Sequence, residues 1–352
     1  MNDHLIVVGE LHQDLFYRSK MFTELADLLV KALSDARPDL SNPSALRTFI
    51  LKAIDESPKK INGEMYTKRG GNGNNSAEGM IKLNILVKLM TTVGEGVNWM
   101  FEELEQLNIN PELIFHQKAP TPISTIIEDP NITKILVAPN AKEKMNFNHV
   151  KFSKSMFEGS SIIFFTPMAD KYTKVLEFIN GMNLIKSFTL ELQKITTFDQ
   201  FKAVVTRKMD IMFANLNDAT MVVRGLDANL NDALEVRLRD IDNHFKEYSR
   251  VRVYTLGKYG SWICIGDDGL YEHTEVFNVN VVNRTGAGDT YAAGFLAYLY
   301  NTLQDPSQFI GMEDRKLMKI LKDASVFGSK AAAIKVSTGS APTYQEILDF
   351  KP

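Results

Sequence analysis

The stretch Asn283-Arg284-Thr285-Gly286-Ala287-Gly288-Asp289-Thr290 combines residue types that can hold an anion and accept a proton. Glycine permits unusual backbone angles and lets a ligand come close to the main chain. If a helix begins here, the amides of Gly286, Ala287 and Gly288 converge at its positive end, a place that attracts phosphate. Asp289 then falls in the first turn, beside the anion site and within reach of a neighbouring hydroxyl. Phosphoryl transfer to an alcohol needs both functions, because the nucleophile must lose a proton while charge on the migrating group is stabilised. Taken alone, Gly-Ala-Gly-Asp equally describes the start of a helix whose Asp caps exposed N–H groups.

The same residues resemble the C-terminal signature of the ribokinase-like, or PfkB, carbohydrate kinase family, which reads Asp-Thr-Thr-Gly-Ala-Gly-Asp before a helix rich in small residues. Thr285 through Asp289 match it, as does the run carrying Ala292, Ala293, Gly294 and Ala297. Asn283 and Arg284 depart from its first two positions. Five further segments resemble other motifs of the family, in the family's order, so the resemblance spans nearly the whole chain. Gly9-Glu10 with Asp14 is similar to a strand end whose Asp binds sugar hydroxyls. Gly70-Gly71-Asn72-Gly73-Asn74-Asn75 is similar to the substrate loop, with Gly71 and Asn75 at the ligand positions. Asn215-Leu216-Asn217-Asp218 resembles an Asn-x-x-Glu motif near phosphate and magnesium, with Asp in place of Glu. Thr255 to Gly260 resembles the nucleotide loop, with Thr255, Gly257 and Gly260 beside ATP. Ala331-Ala332-Ala333 leading to Gly339, with Ser329 nearby, resembles the helix and loop flanking adenine. The resemblance implies a three-layer α/β fold: a mostly parallel central sheet flanked by helices, with a small β-rich lid. It also implies transfer of the γ-phosphate of MgATP to a hydroxyl of a sugar or sugar acid, with Asp289 as base and the Gly286–Gly288 backbone as anion hole.

Each role has an ordinary structural alternative. A carboxylate such as Asp14 at a strand's C-terminal end accepts two hydroxyl hydrogen bonds where open α/β sheets place ligands, or is a solvated loop acid. Gly70 to Asn75 offers backbone donors and an amide, or is a turn, since Asn-Gly favours tight turns. Asp218 would meet Mg²⁺ through water, because that ion keeps much of its hydration shell; otherwise Asn215 or Asn217 caps a helix. Gly257 and Gly260 equally suit a hairpin turn. Arg284 either reaches phosphate or forms a surface pair. Asn283 replaces a carboxylate that helps bind a monovalent cation in some relatives, which argues against potassium activation.

Alternating elements must carry these residues. Leu5 to Val8 reads as a buried strand and Met21 to Asp35 as a helix, with a second helix beginning at Pro43. A helix is expected from Ser76, and strands over 113–115, 125–127 and 135–137. Strands are expected over 161–165, 184–192, 211–214, 252–256, 260–265 and 279–282, and helices over 171–180, 228–245, 289–303 and 315–335. This alternation predicts a parallel sheet covered on both faces, in one domain over 1–352. Segments of about 58–69 and 112–138 correspond to the lid, which also makes a dimer interface in relatives. The helical stretch of about 19–57 has no family counterpart.

Bulk composition fits. The 352 residues carry 43 acids and 40 bases, a formal charge of −3, so no basic face points to nucleic acid. The single cysteine, Cys264, excludes an intramolecular disulfide and reads as core. No apolar run approaches the length of a membrane span, and a cytoplasmic location is expected. A nucleoside kinase is the nearest alternative, with Phe16, Tyr17, Phe115 and Phe165 as candidate walls for a base. A catalytically silent sugar- or nucleotide-sensing protein is the other.

Overall fold

The computed structural model describes residues 4–36, 43–57, 62–129, 133–137, 139–192, 194–224, 226, 233–266, 269–284, 286–303 and 305–351. In chain order the elements of the first half are β1 (His4–Gly9), β2 (His12–Arg18), α1 (Met21–Ala36), α2 (Pro43–Asp55), β3 (Glu64–Gly70), α3 (Asn72–Lys82), β4 (Val87–Glu95), α4 (Asn98–Gln106), β5 (Ile114–Pro120), β6 (Ile123–Glu128), β7 (Thr133–Val137) and α5 (Pro139–Lys144). There follow β8 (Ser160–Thr166), α6 (Thr173–Phe178), β9 (Ile185–Leu190), α7 (Phe198–Val204), β10 (Met209–Asn215), α8 (Leu216–Val222), α9 (Leu234–Phe245), β11 (Ser249–Thr255), β12 (Ser261–Ile265) and β13 (Leu270–Thr274). The chain ends with α10 (Ala287–Thr302), α11 (Pro306–Gly311), α12 (Asp314–Thr338) and α13 (Tyr344–Asp349).

Two compact units emerge, one of residues 1–11, 71–120 and 143–352, the other of 12–70 and 121–142. The larger holds a nine-stranded sheet in the order β13-β12-β11-β10-β9-β8-β1-β4-β5, parallel from β11 to β5 and antiparallel over its last two strands. Side chains alternate between two cores. Leu5, Val7, Phe164, Ile211 and Val253 join α3, α10 and α12 on one face, while Ile6, Val8, Phe165, Met212 and Cys264 pack with α6 to α9 on the other. Burial on both faces explains why these strands read as unbroken apolar runs. Strand order reverses beside β1, since β4 follows on one side and β8 on the other. The carboxyl ends at such a switch point form the usual ligand crevice of open α/β sheets.

The smaller unit is a mixed four-stranded sheet, β3-β2-β6-β7, with β2 and β6 parallel and the outer pairs antiparallel. Helices α1 and α2 belong to this unit.

Several expectations change. Asp14 lies inside β2, opposite Lys68 and Ser124, instead of at a strand's end. Helix α3 starts at Asn72, so four of the six residues of the expected substrate loop are already helical. Strand β5 joins β4 at the edge of the large sheet, leaving only β6 and β7 of 112–138 in the small one. Residues 279–282 form no strand; Val281 and Val282 are exposed, and the amides of Val282 and Asn283 donate to the Val336 carbonyl at 2.7 and 3.1 Å. Residues 58–61, 228–232 and Thr285 lie outside the described ones.

Candidate active site

Helix α10 is buried almost all round from Thr290 to Leu299, which is why its sequence is rich in small residues. Its closest approach is to α12: a Cβ added to Gly294 would stand 3.0 Å from Ala331 Cβ and 3.1 Å from Gly328 Cα. Tyr291 pins it from within, its hydroxyl 3.0 Å from Ser261 Oγ on β12 and 2.7 Å from Ser325 Oγ on α12. The head of the helix is therefore fixed to a rigid base. Gly286, the residue that caps it, has φ +77 and contributes no side-chain capping bond. A Cβ on Gly288 would meet nothing within 4 Å. At the positive end of this 16-residue helix the Ala287 amide donates to the Arg284 carbonyl at 3.3 Å and the Thr290 amide to the Gly286 carbonyl at 3.0 Å.

Asp289 stands in this first turn, and burial pushes its carboxyl up to about 6, with Lys335 of α12 pulling the other way. A second acid joins it that sequence reasoning missed. Glu191, just beyond β9, is pushed up to about 7 by burial and then by the like charge of Asp289. Lys194 opposes the rise, while Asp218 and Glu10 add to it. Glu191 Oε1 accepts from Asn72 Nδ2 at 2.8 Å, tying the head of α3 to the end of β9. Next to it, the Leu192 amide donates to Asp218 Oδ2 at 3.4 Å. Glu10, just past β1, receives both Lys171 Nζ and Lys194 Nζ at 2.8 Å on one oxygen. Glu10, Asn72 and Asp218 fall in motifs quoted above, whereas no motif marks Glu191, Lys171 or Lys194, whose only signal is a position just past the carboxyl ends of β8 and β9.

The substrate-loop residues are held by packing. A Cβ on Gly9 would lie 2.5 Å from Gly73 Cα and 2.6 Å from the Thr166 carbonyl, so both glycines are needed where α3 meets β1. Gly71 precedes the helix with φ 97, and Asn75 is exposed in its first turn. Glu191→Ala and Asn72→Ala should each raise the KM for the acceptor about tenfold, the double mutant adding little more, because partners in one hydrogen bond are not additive. A double-mutant cycle on steady-state KM measures this. Additive effects would show that the contact does not hold the loop.

Other candidates are more dispersed. Asn215 Oδ1 caps α8, accepting from the Asn217 amide at 2.8 Å, so the capping alternative is realised. Thr255 ends β11, and Gly257 to Tyr259 form a short turn into β12; this is a hairpin, closed by the Leu256 amide on the Gly260 carbonyl at 2.8 Å. Gly260, with φ 82 and pressed against the Thr274 carbonyl, is required by that turn, whereas a Cβ on Gly257 would meet nothing within 4 Å. Ser329 is buried on α12, and Arg284 is exposed. Phe165 and Phe115 pack in or against the core beside Phe147 and Tyr172.

In the smaller unit, Asp14 Oδ1 lies 3.1 Å from His12 Nε2, which also sits 3.2 Å from Ser124 Oγ. Gly70 on the neighbouring strand has no side chain because one would collide with the Asp14 carboxylate. Gly70→Ala should therefore displace that carboxylate. The acceptor KM is expected to rise about tenfold, the loss of one charged hydrogen bond, with the KM for ATP unchanged. Unaltered acceptor kinetics in this variant would remove Asp14 from substrate binding. Phe16 stacks on Tyr66 in this sheet, with centroids 4.9 Å apart and planes 2° from parallel.

Among the described residues, no helix is long and apolar enough to cross a membrane. The chain matches the pfkB family carbohydrate kinase model over residues 45–346. It is 22% identical over 302 residues to a 5-dehydro-2-deoxygluconokinase of Listeria innocua, covering 79% of this chain and 85% of that one. Among solved structures it superposes on Arabidopsis thaliana ribokinase complexed with ribose and ATP, with TM-score 0.69, 16% identity and full coverage of both chains. It also superposes on the nucleoside kinase of Methanocaldococcus jannaschii, an archaeal member of the ribokinase family, with TM-score 0.64, 18% identity, and coverage of 99% and 97%. These likenesses identify the fold as ribokinase-like. With a family match running from the second helix to the last, the chain belongs to the PfkB family of carbohydrate kinases.

Proposed function

We propose that this kinase transfers a phosphoryl group to a hydroxyl of a sugar or sugar acid, with Asp289 as general base. The observation that carries the reading is the place of Asp289, in the first turn of a helix that opens on Gly286-Ala287-Gly288, where burial raises its carboxyl to about 6. An acid tuned toward neutrality both holds its charge at working pH and accepts a proton readily. The Gly286–Gly288 backbone binds the phosphate being moved, the Ala287 amide giving up its 3.3 Å contact with the Arg284 carbonyl to do so.

The residues fit MgATP. The free space above Gly288 and Gly257 is where side chains would obstruct a polyphosphate. Among the described residues no three His, Cys, Asp or Glu side chains are grouped to hold a metal ion. Asp218 then meets magnesium through water, with phosphate oxygens as its main ligands. When bound, MgATP supplies the phosphoryl group and neutralises charge developing on it. Within the smaller unit, Asp14, its carboxylate 3.1 Å from His12 Nε2, is the candidate for binding hydroxyls.

A nucleoside acceptor is the second reading, favoured by the parallel, half-buried Phe16–Tyr66 pair, the kind of aromatic surface on which a base stacks. An ADP-release assay over neutral sugars, sugar acids and nucleosides decides between them. Turnover on nucleosides alone overturns the sugar assignment, and ATP binding without turnover on any acceptor replaces the enzyme with a sensor.

A further inference from the structure

The anion cradle proposed above would have a cationic partner, and sequence order suggests Arg284, one residue before the matched signature. That guanidinium is exposed. A different cation reaches the same place from a distant part of the chain. Lys335, on the last turn of α12, lays its stem against the cradle: its Cε would be 3.5 Å from a Cβ added to Gly286. Its Nζ donates to the Gly339 carbonyl at 2.5 Å, which leaves two of its three N–H donors for other partners.

The electrostatics of this placement call for an anion. Lys335 stands between two opposed helix poles, the carboxyl end of its own α12, which favours a cation, and the amino end of α10, which favours an anion. Lys82, at the end of α3, adds a second positive charge that acts on Lys335. Asp289 is the acid that acts on it in return, and the same residue is needed for the proton. The side chain is also only partly exposed, so its charge is not relieved by solvent alone.

We propose that Lys335 is a phosphate-binding residue of this kinase, reaching over Gly286 to place its ammonium on the polyphosphate held at the head of α10. This rests on the kinase reading above and adds to it a contact that neither the signature nor its neighbours in sequence contain. Charge-assisted hydrogen bonds to phosphate are among the stronger polar contacts, and an ammonium supplies them as a point charge. Because Lys335 lies on the helix packed against α10, it is positioned as rigidly as the cradle itself.

The test compares ATP with adenosine, by isothermal titration calorimetry on the intact protein without acceptor. Lys335→Met should weaken ATP binding about 10- to 100-fold and leave adenosine binding unchanged. Lys335→Arg should restore ATP affinity to within about threefold, because it returns the charge at similar reach. Lys335→Gln keeps a donor for the Gly339 carbonyl but no charge, and should behave like the Met variant. It also serves if the Met variant fails to fold. A purely structural role as a helix cap predicts the opposite pattern: Gln rescues, and ATP and adenosine weaken together. That pattern, or undiminished ATP binding in both uncharged variants, overturns the assignment of Lys335. Wild-type protein that binds ATP no better than adenosine would instead overturn the anion cradle and the kinase reading with it.

Discussion

Replacing Asp289 with Asn is expected to lower kcat about 10²- to 10⁴-fold, the usual contribution of a positioned base, while making the protein more stable at neutral pH. The two effects share one cause. Burial lifts the folded-state pKa of Asp289 from 3.8 to about 6. An acid raised on folding binds more protons in the native than in the unfolded state across that interval. Stability contributed by the neutral carboxyl is therefore lost as pH rises from about 4 through about 6, and above that window the charge is a net cost. Asn removes the charge without changing the shape, so its melting temperature at pH 7.5 should exceed that of the wild type, the gain being on the order of 1–3 kcal/mol. The advantage should shrink toward pH 4, where the native carboxyl is neutral as well. Wild-type activity should fall as pH is lowered through about 6, as the base takes up its proton. Thermal melts at pH 4.5 and 7.5, with a pH profile of kcat/KM, measure all of this. A variant that is inactive but no more stable at pH 7.5 would mean that the carboxyl is not strained in the native state. A variant with near-normal kcat would remove Asp289 from catalysis.

Replacing Gly288 with Val is expected to leave the fold intact and to lower kcat/KM for ATP about 10²-fold or more, as expected for losing access to an anion-hole donor. The reason is the space around this residue. A Cβ there would meet no atom within 4 Å beyond the helix's own neighbouring turn, so a side chain points into open space in the free protein. Within the first turn of a helix, exchanging glycine for another residue also reduces the entropy of the unfolded chain. Gly286→Ala is the informative contrast. At φ +77 a Cβ is strained by roughly 1–2 kcal/mol, so this variant should lose stability as well as activity. Calorimetric titration with ATP and a thermal melt on both variants separate the two cases. Full ATP affinity in Gly288→Val would place the phosphate elsewhere.

Much of this was legible in the residues, and the legible part is local. The glycine-rich start of α10 is visible because Gly286, Ala287 and Gly288 stand together in the chain. The strands of the large sheet are visible because both faces are buried, which turns Leu5 to Val8 and Ile162 to Phe165 into unbroken apolar runs. Strand β4 is harder to see, because Lys88, Thr91 and Thr92 interrupt its run although both threonines are buried. The segment 279–282 misleads in the opposite sense: it is apolar enough for a strand, yet it forms none, and the Val282 amide at its end donates to the carbonyl of Val336 near the end of α12.

The chain order of residue types determined where an anion can be held and which acid stands beside it, since both lie within four consecutive residues. Tertiary structure alone decided which charges surround that acid. Lys335 reaches Asp289 from the far end of α12, and Glu191, on which Asp289 acts, comes from the end of β9 with Lys194 and Asp218 acting on it in turn. Propensity and periodicity report which side of an element faces the core, a property of neighbours a few residues apart. The electrostatic field at a carboxyl is set by burial and by charges brought close from tens to hundreds of positions away, and no local pattern encodes that.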